Sequence, residues 1–530
     1  KNGLIVDGTG KKGWTGNLLI KGERIELVTE KNVRVTAKII DCTGKVIAPG
    51  FIDMHSHNDW FLTSKNRPEL TTPFTAQGIT TSVCGNCGFS TVGIKKGSSF
   101  INMLEEENLF KEGFDRIRWN TMDDYRHLLE KNGITHNLVM LAGHGTSRAS
   151  IRGKDPKPMT EAEMKEMLYL LEESMDQGAR GVSLGLQYEP GIFATFDELE
   201  RVARLVKKKD KILTVHAKAY SNLSGAYPLI PFGTPHNLLA IDDLVGLAEK
   251  VGMKLQISHL IFVGSKTWNT FDNAMKRIDR AVSRGIDVKF DTYAYHCGAS
   301  IINVLMPPWF LARVPGSYTS RAALARLRLE FKFIERLLGF GFDDIQIAHA
   351  NHPDLNRFNG MFLRDIARER GIPDFENYLD FAKMSSGVAR VLMHRYSNPE
   401  IVSELMRHPA SHFMTDAWIE VSGVQNPSSF GCFPRFLQNA RETGILTLED
   451  AVRKMTGVNA ERFSIPARGF LGKKLAADIT VFDWNKVRDN TSPSCTDASP
   501  DGIEHVFING VQVVNKGQVK SSLRPGKVLV

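Results

Sequence analysis

The sequence lacks any apolar run approaching the roughly 18 residues that a membrane-spanning helix needs, and it carries no low-complexity tract or short-period repeat. A membrane-embedded, fibrous or solenoid protein is therefore not expected. Cysteine is sparse: six residues in 530 are too few for a disulfide scaffold and fit a reducing compartment. The opening stretch KNGLIVDGTG has no apolar core behind a basic start and reads as a strand and turn rather than a signal peptide. A cytoplasmic protein is the expectation, although the missing initiator Met leaves room for a few preceding residues or a cleaved leader. One-sided charge is also missing. The net charge of +8 comes from scattered Lys and Arg, with only short clusters such as Lys207-Lys208-Lys209. Nucleic-acid binders gather such residues on one face or tail, so no nucleic-acid partner is expected.

What is present divides into like ends and an unlike middle. A chain of 530 residues exceeds what one core serves, so two or more domains are expected. Residues 17–28 alternate apolar and polar around Gly22, and residues 477–482 and 506–514 repeat that pattern with Asn509-Gly510 at a turn. Residues 1–48 plus 465–530 are therefore expected to form one small β-sandwich domain. Between them, strand-like runs at 46–53, 78–83, 138–141, 181–184, 212–215, 255–258, 287–290 and 411–415 alternate with helical segments such as 161–177 and 196–208. Eight such units predict an α/β architecture: a (β/α)8 TIM-like barrel over 49–464, interrupted by an inserted helical subdomain at about 301–395. Helical patterning over 321–338 marks that insertion.

The chemistry-bearing residues stand at strand ends. Val46 to His57 reads VIAPGFIDMHSH, an apolar strand breaking into His-x-His. Residues two apart on a strand point the same way, so His55 and His57 aim both imidazoles at one point. In a parallel barrel those ends face the active site. His216 ends the fifth candidate strand, His259 the sixth and Asp416 the eighth. Imidazoles with a carboxylate are the ligands expected of zinc or a similar divalent ion. Cys84-Gly-Asn-Cys87 follows the second strand in a glycine-rich loop. A redox pair would begin a helix, and no second C-x-x-C exists to complete a four-thiolate site. One of these thiolates joining the histidines is the better reading, and the spacing does not say which. Two patterns mislead. Gly8-Thr-Gly-Lys-Lys-Gly13 satisfies G-x-G-x-x-G but leads into a hairpin strand rather than a helix, so no nicotinamide or flavin cofactor is expected. His349 and His352 read as a loop or pocket rim rather than a separate zinc motif.

With these residues assembled, the chain resembles the amidohydrolase superfamily, and within it the N-acyl-D-amino-acid deacylases (D-aminoacylases). The resemblance runs along nearly the whole chain, through PGFIDMHSH, QGITTSVCGNCGFS, GHGTSR, GVSLGLQYEPG, VHAKAYS, QISHL, FDTYAYHCGAS, FPRFL and MTGVNAERF. It implies that Cys87 is the thiolate ligand, grouped with His216 and His259 at one tight zinc site. It also implies that His55 and His57 face a second, weaker site, that Asp416 is the catalytic carboxylate, and that Cys84 packs. Two departures concern the substrate. Leu260 and Ile261 stand where the resemblance calls for His and a carboxylate-binding Lys. Tyr293 keeps the tyrosine of D-x-Y-P-Y, but Ala294 replaces its proline. Lys218 and Arg148 are the candidate substitutes for the missing cation. The function so implied is hydrolysis of a linear amide in a small N-acyl compound, with Asp416 as general base and acid. The rivals are a cyclic-amide hydrolase of the hydantoinase or dihydroorotase kind, a deaminase, and a non-catalytic scaffold on the same barrel. The fourth-strand segment GARGVSLGLQYEPG lacks the lysine that the cyclic-amide hydrolases carboxylate, and neither His216 nor His259 begins the H-x-x-E of deaminases.

Overall fold

The computed structural model describes residues 1–64, 67–106, 116–228, 230 and 232–530. Strands from both chain ends hydrogen-bond into one eight-stranded order. At its centre Val46–Pro49 lies parallel to Gly3–Ile5 and antiparallel to Ile479–Phe482. The far strand, Arg24–Thr29, folds back onto residues 474–477, with Ile25 N donating to Leu475 O (2.9 Å) and Ala477 N to Glu23 O (2.9 Å). Ile5, Ile25, Ile47, Ile479 and Val481 fill the space so enclosed. At the Asn509-Gly510 turn both residues are left-handed (φ 47° and 79°), as a two-residue hairpin of matching twist requires. The Gly8–Gly13 segment is the connection from Gly3–Ile5 to the strand Trp14–Lys21, and no helix begins there.

Val46–Pro49 runs through Gly50 directly into the first barrel strand. A Cβ at Gly50 would lie 2.2 Å from Thr80 Oγ1, so only glycine lets the chain pass this close. The barrel strands are β1 (Phe51–Asp53), β2 (Ile79–Cys84), β3 (Asn137–Met140, extended by Ala142–Gly143), β4 (Gly181–Gly185), β5 (Ile212–His216), β6 (Lys254–Ile257), β7 (Val288–Thr292) and β8 (Ser411–Phe413). Each pairs in parallel with the next. Beyond the ends of β8 and β1, Asp416 N donates to His55 O (2.9 Å) and His57 N to Ala417 O (3.2 Å), around a parallel bridge between Ser56 and Ala417. The α/β barrel is thus drawn together at the end where the candidate site residues lie. Helices Glu161–Asp176 and Phe196–Lys208 sit where the apolar periodicity places them, each opened by a threonine cap, Thr160 and Thr195.

Between β7 and β8 the chain makes a long excursion. Its helix Arg321–Leu338 coincides with the patterned segment, capped by Ser320 and ended by Gly339 at φ 62°. The excursion is not purely helical, however. Gly298–Ile301, Arg390–Met393 and Ile345–His349 form a three-stranded antiparallel sheet with Arg390–Met393 in the middle. Such four- and five-residue apolar runs carry no period that separates strand from buried helix.

Two buried histidines make this fold acid-sensitive. Asn459 Nδ2 donates to the carbonyls of Ile52 (2.8 Å) and Phe413 (3.2 Å), so its Oδ1 accepts from His412 Nδ1 at 2.9 Å. Burial, with Arg462 nearby, lowers the His412 pKa to about 3, and burial lowers that of His136 to about 4. Both are neutral in the fold but titrate near 6.5 when unfolded. The unfolded chain therefore binds more protons, and stability falls as pH drops below about 6.5. Each group contributes up to about 1.4 kcal/mol per pH unit. In urea unfolding, the stability of His412→Asn should fall less steeply between about pH 6.5 and 5 than that of the unsubstituted protein, and an equal slope would overturn the role given to His412.

Candidate metal centre

Six side chains from the C-terminal ends of the barrel strands meet in one buried cluster. His55 and His57 follow β1, Cys87 follows β2, His216 ends β5, His259 follows β6 and Asp416 follows β8. Cys87 Sγ lies 3.3 Å from His55 Nε2, 3.5 Å from His259 Nε2 and 3.8 Å from His216 Nδ1. Asp416 Oδ1 lies 3.2 Å from His55 Nε2 and 3.4 Å from His57 Nε2. Ligand atoms of His55, Cys87, His259 and Asp416 all fall within 4.8 Å of one another. Three of the six residues hold left-handed backbones: Cys87 (φ 53°), His259 (φ 30°) and Asp416 (φ 51°). Non-glycine residues pay for that conformation, and such strain concentrates where surrounding structure imposes a functional geometry.

Hydrogen bonds set which ring nitrogens point inward. His55 Nδ1 faces Asp291 Oδ1 at 3.3 Å, and the carboxylate can only accept, so Nδ1 carries a proton and Nε2 is the nitrogen turned to the cluster. His216 Nε2 faces Gln187 Oε1 at 2.9 Å in the same way, which turns Nδ1 towards Cys87. Asp291 also accepts from His259 N (2.6 Å) and Gln256 Nε2 (3.1 Å). His259 Nδ1 is buried without a hydrogen-bond partner among the described residues.

Burial opposes every charge in this cluster, and neighbours override it. Burial alone would raise the Cys87 pKa, but His55 and the hydrogen bonds from His216, His259 and His55 hold the thiol well below its ordinary value. Burial alone would lower His55, yet Cys87, Asp416 and Asp291 hold it well above. Asp416 stays well below the carboxylate range because His259 and His55 outweigh its burial. A ready thiolate, an ionised carboxylate and imidazoles whose inward nitrogens can exchange a proton for a cation form, in this dry site, a donor set that fits zinc. Cys84 stays outside it, at the end of β2 against Trp119, Tyr125 and Leu129.

A cavity of about 150 Å³ opens beside the cluster, lined by His216, His259 and Asp416 on one side and by Ile261, Leu305 and Phe340 among the apolar residues opposite. Leu260 is buried in the core. Lys218 lines this cavity with its Nζ 5.0 Å from the centroid of the Tyr227 ring. Tyr293 is buried close by, its hydroxyl without a hydrogen-bond partner among the described residues. A Cβ on Gly298 would meet that hydroxyl at 2.6 Å. Arg148 is not at the site. Its guanidinium is buried 3.2 Å from Glu198 and donates to the carbonyls of Asp155, Lys157 and Pro190, so its charge is already spent on the scaffold. His349 lies elsewhere, its Nδ1 3.1 Å from Ser422 Oγ, and His352 lies 3.9 Å from Asp354. Asp291, Gln187, Tyr188 and Trp418 join the site without having been expected there. Asp291 was detectable, as a polar break at the end of the apolar β7.

A model of the amidohydrolase family matches residues 38–220, the stretch that carries His55, His57, Cys87 and His216. The chain is also 28% identical to an N-acyl-D-glutamate deacylase of Alcaligenes xylosoxydans xylosoxydans, over 100% of its own length and 95% of the relative's. Over residues 38–220 the chain resembles the amidohydrolase family. It is 26% identical to a D-aminoacylase of the same organism, covering 99% of this chain and 96% of the relative. Among solved structures it resembles an N-acyl-D-glutamate deacylase from Bordetella bronchiseptica, complexed with zinc and a phosphonate inhibitor. That match has a TM-score of 0.81 at 25% identity and covers 100% of this chain and 98% of the other.

The bracing contacts are open to test. Replacing Gln187 with Ala, or Asp291 with Asn, should weaken zinc binding about 10- to 100-fold in competition with a chromophoric chelator. Unchanged affinity in both variants would show that the outward ring nitrogens do not tune this centre.

Proposed function

We propose that this protein is an amidohydrolase, a zinc-dependent deacylase that cleaves the linear amide bond of N-acyl-D-amino acids or closely related N-acyl compounds. The observation that carries the reading is the convergence of Cys87 with His55, His216, His259 and Asp416 at the mouth of the barrel. Full-length similarity to deacylases of N-acyl-D-amino acids supplies the substrate class.

Cys87, His216 and His259 would hold one tightly bound zinc, and His55 and His57 a second, weaker position beside it. A divalent zinc there supplies Lewis acidity and makes water acidic enough to deprotonate near neutral pH. Asp416 faces both the cluster and the cavity. It takes the proton of the attacking water and returns it to the departing nitrogen, which leaves as an amine. His55 and His57 hold the Asp416 carboxylate in place. The Tyr293 hydroxyl, buried without a hydrogen-bond partner among the described residues, would donate to the substrate. Lys218 is the cation on the cavity wall and meets a substrate anion there. The low polarity of the cavity strengthens each of these contacts.

Asp416→Asn should retain zinc while losing about 100- to 10,000-fold in kcat, measured as release of free amine. Near wild-type turnover in that variant would sink the role given to Asp416. The substrate class is tested by offering the zinc-loaded protein N-acyl-D-amino acids, their L counterparts and cyclic amides. The D series should be hydrolysed, and a preference for either of the others would overturn the reading.

A further inference from the structure

The inserted helix Arg321–Leu338 has two apolar faces with different fates. On the inner face Leu327 and Leu338 are buried, and Glu330, Ile334 and Leu338 line the 150 Å³ cavity. The outer face is open. Leu329 is 70% exposed, Phe333 55% and Leu337 36%. No other helix among the described residues leaves more than one large apolar side chain so exposed. These three residues stand four apart, so they form a single stripe along the helix, where a face turned to water should be polar. Arg328, Lys332 and Arg336 each precede a member of that stripe by one position, which lays a basic stripe beside the apolar one.

Cations, scattered over the chain as a whole, are dense in this segment. Residues 301–340 hold six Lys and Arg against two Glu, and so half of the net charge of +8. Both glutamates are engaged. Glu330 accepts from Arg326 Nε at 2.8 Å and from Trp309 Nε1 at 3.1 Å, and Glu335 accepts from Arg364 Nη2 at 2.6 Å. Arg328 is paired with Glu376. Arg321, Lys332 and Arg336 are exposed and have no ion-pair partner among the described residues.

We propose that this helix seats the protein on an anionic lipid surface. Leu329, Phe333 and Leu337 enter the headgroup boundary, while Arg321, Lys332 and Arg336 meet the lipid phosphates. An exposed apolar stripe bordered by cations is what such a surface recognises, and the long Lys and Arg stems let the charges stay among the headgroups while their neighbours are immersed. At about 1.5 Å per residue the helix offers roughly 27 Å lying in the plane of the surface. A second copy of the chain is a poorer occupant. Two-fold pairing sets a patch against itself, and these cations would meet cations, with no free carboxylate on the helix to receive them. Because the inner face of the same helix lines the cavity, the seat holds the candidate site next to the lipid. The proposal does not depend on which substrate that site takes.

Flotation of the full chain with vesicles of phosphatidylcholine, alone or mixed with phosphatidylglycerol, tests the seat. The protein should float with the mixed vesicles, stay behind with phosphatidylcholine alone, and be displaced as salt approaches ~1 M. Lys332→Glu combined with Arg336→Glu should lower the partition constant about tenfold or more. Leu329→Ser combined with Phe333→Ser should lower it to a similar degree, about tenfold. None of the four residues lines the cavity, and urea midpoints close to wild type in both double variants separate lost binding from lost fold. Flotation with neither kind of vesicle, equal flotation with both, or wild-type partitioning in both double variants overturns the proposal. So does a lipid-independent dimer in sedimentation that Leu329→Ser with Phe333→Ser dissociates, because the stripe then belongs to a second copy.

Discussion

The Asp291 carboxylate, near the end of β7, ties the ends of β6 and β1 into one site. It accepts from the backbone of His259, from the His55 ring and from Gln256, all in a setting closed to water. A buried carboxylate is tolerable only when its lone pairs are filled by donors of this kind. Once filled, it fixes the orientation of the His55 ring, and with it the nitrogen that His55 turns to Cys87 and Asp416. The left-handed turn at His259 is pinned by the same oxygen. Metal affinity, the charge on Cys87 and the orientation of Asp416 all follow from a group that itself never enters the cluster.

Around this centre the structure separates two tasks. The barrel strands supply ligands from short, buried, hydrogen-bonded ends, where positions vary little. The excursion between β7 and β8 supplies most of the apolar wall, through Leu305, Leu338, Phe340 and Met393. Ile261, which follows His259 by two residues, completes that wall where the family resemblance calls for a lysine. The barrel thus holds the chemistry, and the inserted segment decides much of what reaches it.

Much of this was legible in the residues themselves. His55 and His57 declare themselves because a strand's period of two puts both rings on one side. His216, His259 and Asp416 share one signature, a polar residue closing an apolar run. The helices at 161–176 and 196–208 announce themselves through a threonine cap and an apolar stripe. Other features depend on contacts distant in sequence. Arg148 sits in a motif that invites a substrate role, and only the packing of Glu198 and three carbonyls around it reveals that its charge is consumed. Gln187 lies in a loop with no pattern, and it gains meaning solely from the distance to His216. The inserted sheet escaped because runs such as Ile345–His349 are too short to show a period.

The strand Val46–Pro49 has one more consequence. It continues into β1 and thus carries His55 and His57, yet one of its two lateral partners is Ile479–Phe482, more than 400 residues further along the chain. During synthesis the front of the barrel therefore leaves the ribosome long before the segment that completes its edge. Contacts of such sequence separation are slow to form and leave an unpaired edge exposed in the meantime. The strand that leads into β1 is consequently among the last parts of the molecule to become fully enclosed.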